Sequence, residues 1–182
     1  MRPLARLLVS IFAASGALAD EWRVQEDGEI VFEPTWEGEA VPGRFRVFDV
    51  EVDTGDGGIA GAELQVTVNL DSADMNDPDI NEAIAGAEWF AVSEYPVATY
   101  RSESIGAGPD GSYVAQGYLD LKGARLPVTV PFHWTESGDR AEMSGEVVID
   151  RTRFDVGSGE WAGNDPIGTA VSVRFSVTLE RQ

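Results

Sequence analysis

The chain has 182 residues, of which 32 are acidic and 13 basic, a formal charge of −19, and 43% of it is hydrophobic. That is the size of one domain with enough apolar content for a packed core, which excludes a disordered acidic tail. Cysteine is absent and histidine occurs once, so disulfides, thiolate metal sites and cysteine nucleophiles are excluded, and the acidic surplus argues against nucleic acid and anionic lipid headgroups as partners.

Residues 1–19 have the layout of a removable secretory signal peptide. Arg2 and Arg6 make a basic start, Leu7 to Ala14 is mainly apolar, and Ala17-Leu18-Ala19 supplies the small residues of a cleavage site after Ala19. The apolar run falls short of the roughly 20 residues that cross a bilayer. The expectation is an exported protein, most simply periplasmic, with residues 20–182 as its single domain. Removal of the leader leaves 11 basic residues against 32 acidic ones, a formal charge of −21.

Beyond the leader, apolar residues alternate with polar ones at the period of half-buried strands. Between Arg44 and Asp53 the apolar side switches, with Phe45 and Val47 on one face and Phe48, Val50 and Val52 on the other. A β-bulge or a bent strand explains such a switch. Leu64, Val66, Val68 and Leu70 then share a face. Pro78 to Glu88 breaks the pattern, because Ile80, Ala83, Ile84 and Ala87 recur at helical spacing after the capping residues Asn76-Asp77. Tyr113, Ala115, Gly117, Leu119 and Leu121 form the next strand face, with Gly117 marking a bend or bulge. Val128, Val130, Phe132 and Trp134 follow, then Ala141, Met143, Gly145, Val147 and Ile149. The last face is Val171, Val173, Phe175, Val177 and Leu179. Eight or so antiparallel strands with one helix fit a closed barrel or a two-sheet sandwich, and periodicity alone does not choose.

Reactive chemistry finds little support. His133 alternates with Phe132 and Trp134 and is expected on the polar face. One histidine is too few for bis-histidine haem ligation, and a lone histidine makes zinc binding and a catalytic triad poor readings. Asp77, Asp79, Asn81 and Glu88 fill positions 1, 3, 5 and 12 of a calcium-loop pattern, and Ile84 fills its apolar eighth. Glu82 stands where the sharp turn needs glycine, and a strand precedes the loop where the motif needs a helix. Calcium is therefore not expected there. Gly157-Ser-Gly159 reads as a turn, and no pair of carboxylates stands out by spacing.

The aromatics and their neighbours carry more information. The stretch Glu88-Trp-Phe-Ala-Val-Ser-Glu-Tyr-Pro-Val-Ala-Thr-Tyr-Arg-Ser102 resembles the signature of the YceI-like family of periplasmic polyisoprenoid-binding proteins. Tyr113 to Gly123, Pro127 to Val130, Gly43-Arg-Phe45 and Arg151-Thr-Arg-Phe154 with Val156-Gly157 and Trp161 match further motifs in order. The likeness runs from Trp22 to Leu179. It implies an all-β fold, a lipocalin-like antiparallel β-barrel of about eight strands with one short helix near one end, and no catalytic residue or metal. Trp36 stands where many members have histidine, a departure that bears on the ligand's head group.

The function this resemblance implies is a carrier that holds an amphiphilic isoprenoid, either a polyprenyl lipid or an isoprenoid quinone, in an apolar tunnel. The expected wall is Phe45, Leu64, Val66, Trp89, Phe90, Tyr100, Leu119, Phe132, Trp134, Met143, Phe154, Val173 and Phe175, about half of them as ordinary core. Trp89 and Trp161 also resemble the branch associated with membrane b-type cytochromes. An accessory subunit of such a cytochrome, without ligand transport, is the alternative, and a homodimer is a further partner considered.

Overall fold

The computed structural model describes residues 21–25 and 28–182, so the leader and its cleavage site lie outside the described residues. The described chain forms thirteen strands and one α-helix. The first strands are β1 (Glu21–Val24), β2 (Glu29–Glu33), the hairpin β3 (Thr35–Trp36) and β4 (Glu39–Ala40), and β5 (Gly43–Phe45). β6 (Phe48–Asp53), β7 (Glu63–Asn69) and β8 (Ala73–Asp74) lead into helix α1 (Pro78–Ala85). The long strands follow: β9 (Val97–Ala107), β10 (Tyr113–Leu121), β11 (Ala124–Ser137), β12 (Arg140–Asp150) and β13 (Ala170–Arg181).

Eight antiparallel strands close into a barrel in the order β1-β6-β7-β9-β10-β11-β12-β13. The seam is β1 on β13, with Trp22 opposite Arg181 and Val24 opposite Leu179. Closure of these eight strands decides between barrel and sandwich. β2 takes over from β1 along β13, pairing Phe32 with Val173 and Ile30 with Phe175. β5 pairs with β2 and β8 with β5, so three short strands extend one side of the barrel.

The face switch between Arg44 and Asp53 is the break between β5 and β6. Phe45 turns inward, whereas Val47 falls in the bend and is exposed, so these two do not share a face. Gly117 is the predicted bulge. The β9–β10 register slips between Gln116 opposite Ser104 and Gly117 opposite Ser102. A Cβ at Gly117 would lie 2.2 Å from the Arg101 carbonyl oxygen, so only glycine allows this approach.

Helix α1 starts at its expected residue. The Asp77 carboxylate accepts the Asp79 and Ile80 N–H groups at 2.9 and 3.2 Å, and Pro78 occupies the first turn, where its missing N–H costs nothing. The helix stops at Ala85, short of Glu88, and Ala87 lies beyond it. Asn81 ties the helix to β8, accepting the Met75 N–H at 2.7 Å and donating to Asp74 at 3.1 Å. Of the residues that suggested a calcium loop, Asp77 is thus a helix cap and Asn81 a strap.

The two ends of the barrel differ. One is filled: Trp22, Ala115, Ala141 and Leu179 are almost wholly inaccessible. There Trp134 meets Trp22 edge-on at 5.6 Å, and Tyr113 stacks on Phe132 at 5.7 Å. The Arg181 guanidinium covers Trp22 at 4.6 Å. His133 is exposed on the outer face, as its alternation predicts.

Candidate functional site: an apolar cavity in the open half of the barrel

The other half of the barrel holds a cavity of about 610 Å³. That lies inside the range of roughly 300–1,000 Å³ typical of small-molecule sites. Its wall comes from the inward faces of the alternating strands. Val66, Leu119, Val128, Val147, Val173 and Phe175 all point into the barrel, yet each is only half-buried. Val66, Leu119, Val128, Val147 and Phe175 pack against the core and also border the cavity. Leu64, Tyr100, Val130 and Met143 are buried and form the floor above the packed end.

Ten of the thirteen predicted wall residues line this cavity: Phe45, Leu64, Val66, Trp89, Phe90, Tyr100, Leu119, Met143, Val173 and Phe175. Phe45 and Phe90 join Phe32 in an aromatic group with ring centroids 4.8–6.4 Å apart. Phe132 and Trp134 do not reach the cavity. They pack at the filled end, so the cavity meets β11 at Val128 and Val130 and does not extend to Phe132 and Trp134. Phe154 is buried in the 3-10 turn Arg151–Phe154, outside the lining.

Several lining residues escaped the sequence reading. Val68, Leu121, Val128, Val147, Ile149 and Val171 sit on the same alternating faces as the chosen ones and carried the same signal. The mouth did not announce itself. It is framed by Trp36 of β3, 46% exposed, and by Asp79 and Ile80 of α1, the latter 40% exposed. The β3–β4 hairpin is tied across the rim, the Glu37 N–H donating to the Pro166 carbonyl and the Gly168 N–H to that of Thr35 at 2.7 and 3.0 Å.

Arg151 organises the rest of the rim. Its guanidinium is buried, and its N–H groups donate to the carbonyls of Gly168, Val156, Gly157, Trp161, Gly163 and Ile167 at 2.8–3.2 Å. Burial pulls its pKa down, partly offset by the Asp150 charge. The face of Trp89 lies 5.5 Å from this cation, and Trp89 packs on Trp161 at 5.9 Å. The Trp161 indole N–H in turn donates to Glu88 at 3.2 Å, while the Glu88 carbonyl accepts the N–H groups of Gly157 and Ser158. The segment from Arg151 to Gly168 is thereby fastened to the chain that follows α1.

Polar groups are scarce on the lining. Tyr100 donates its hydroxyl to the Val128 carbonyl at 3.3 Å, and burial pushes its pKa up to about 12. Thr35, Asp79 and Arg151 complete the polar set. Among the described residues, no group of three or more histidine, cysteine, aspartate or glutamate side chains is placed to hold a metal ion. What the arrangement can do is sequester an apolar chain and leave a polar end at the rim.

An eight-stranded antiparallel barrel, packed at one end and hollow at the other, defines a lipocalin-like binding protein by architecture. The model of the YceI-like domain matches residues 22–179, and the chain belongs to that family. A UPF0312 protein of Pseudomonas aeruginosa is 27% identical over 161 residues, covering 81% of this chain and 82% of the relative. A Yersinia pestis UPF0312 protein is 28% identical over 137 residues, covering 71% and 69%. Among solved structures, Burkholderia cenocepacia BcnA superposes with a TM-score of 0.81 at 28% identity, over 85% of this chain and 98% of its own. A polyisoprenoid-binding domain from Saccharophagus degradans, implicated in plant cell wall breakdown, shares the fold with a TM-score of 0.70 at 18% identity, over 91% of this chain and 100% of its own.

Proposed function

We propose that this chain is an exported, periplasmic carrier that binds an amphiphilic isoprenoid, a polyprenyl lipid or an isoprenoid quinone, without transforming it. The observation that carries the reading is the hollow half-barrel, whose inward valines and leucines are held apart around empty space. Family membership and a polyisoprenoid-binding structural relative support the same ligand class. Each methylene moved from water into such a lining contributes about 0.8 kcal/mol, so a prenyl chain brings its own driving force and needs no reactive group. The rim leaves room for a polar head at Trp36, Asp79 and Ile80.

The experiment is organic extraction of the protein purified from its own periplasm, followed by mass spectrometry. A co-purifying isoprenoid near one-to-one stoichiometry is expected. Protein that is consistently empty and also takes up no prenyl quinone or prenyl alcohol in vitro contradicts the proposal. The acidic surplus, −21 once the leader is removed, supports a second reading, docking on a basic membrane b-type cytochrome. That reading requires co-purification of a cytochrome, lost as salt is raised across roughly one Debye-length regime, about 0.05 to 0.5 M.

A further inference from the structure

The charges at the cavity bear on which head group it can accept, and this inference rests on the isoprenoid-binding reading above. Two charged side chains line the cavity, Asp79 and Arg151. Arg151 is 4% exposed, and the guanidinium's donors are all engaged by six backbone carbonyls. A phosphate or carboxylate reaching it would have to displace the carbonyls that hold the rim together.

The first turn of α1 is the other feature that could attract an anion, since helix N-termini present unpaired N–H groups. That position is already closed, because the Asp77 carboxylate accepts from Asp79 and Ile80. Asp79 itself stands at the mouth with the same sign of charge. Of the basic residues near this end, Arg46 pairs with Asp74 and Lys122 donates to the Asp155 carbonyl at 2.6 Å, and neither these two nor Arg44 and Arg153 line the cavity. Nothing cationic among the described lining residues is free to receive an anionic head.

We propose that the mouth selects an isoprenoid with an uncharged, hydroxyl-bearing head, a prenyl alcohol or a prenyl hydroquinone, and rejects the same tail carrying a phosphate or carboxylate. The hydroxyl donates to the Asp79 carboxylate while the tail occupies the barrel. A phosphate there meets the Asp79 charge at close range, and because Asp79 is exposed that repulsion is strongest at low salt and is screened as salt is added.

The test is a paired titration of the full mature chain with geranylgeraniol and geranylgeranyl phosphate, at about 0.05 and 0.5 M salt, repeated with Asp79→Asn. The alcohol is expected to bind about tenfold more tightly at low salt, with the ratio shrinking at high salt and in Asp79→Asn. Phosphate binding equal to or tighter than that of the alcohol overturns the inference and leaves the isoprenoid-binding reading standing. A preference unchanged in Asp79→Asn also overturns it, because the selection would then come from elsewhere. Failure of both ligands to bind overturns the inference together with the reading beneath it.

Discussion

Arg151 shows how a single side chain can replace a small core. A buried guanidinium without a carboxylate partner is costly unless its donors are satisfied, and here backbone carbonyls from Val156 to Gly168 satisfy them. Arg151→Leu orphans those carbonyls, and a loss of about 3 kcal/mol or more is expected in the denaturation free energy. Arg151→Lys should recover little of it, since an ammonium cannot reach the same fork of acceptors. Asp74 works similarly for α1. Hydrogen bonds from the Asn81 side chain and the Asn76 N–H, with the Arg46 guanidinium, lower its pKa to about 2. The native carboxyl binds its proton more weakly than the unfolded one, whose value is 3.8. Its stabilisation is therefore complete above that value and is lost as pH falls towards 2. Melting curves of wild type and Asp74→Asn should differ at pH 6 and converge near pH 2.

At the scale of elements, alternation made the strands legible, and Asp77-Pro78 made the start of α1 legible. The Gly117 bulge could be read because a lone glycine on an otherwise apolar face signals a close backbone approach, here to Arg101. The plug could not be separated from the wall. Phe132 and Val130 occupy the same face of β11, and alternation assigns both to the interior. Which of them borders the cavity depends on position along the barrel axis, set by strand tilt and by the register of β11 against β10 and β12. The rim was illegible for another reason: Trp36 and Ile167 meet through a bridge between segments far apart in sequence. This division yields a prediction. Phe132→Ala should cost about 3–5 kcal/mol of stability through a cavity at the packed end, while isoprenoid uptake by the folded fraction is unchanged.

For the whole molecule, the apolar fraction that looked ordinary in composition is divided between a filled half that provides stability and a hollow half left open to a ligand. The acidic surplus favours solubility and weakens contact with anionic membrane surfaces, which is compatible with the proposed carrier role. Export fits that picture as a proposal. The central claim is that the space itself is the functional element, and filling it tests that claim most directly. Val147, opposite Val173 on the cavity wall, can be replaced by tryptophan without adding charge. Native mass spectrometry of wild type and Val147→Trp after incubation with a prenyl quinone should show one bound ligand on the wild type. The folded variant should bind at least about tenfold more weakly. Equal loading of the two proteins would contradict the account, because the ligand would then be held somewhere other than the barrel.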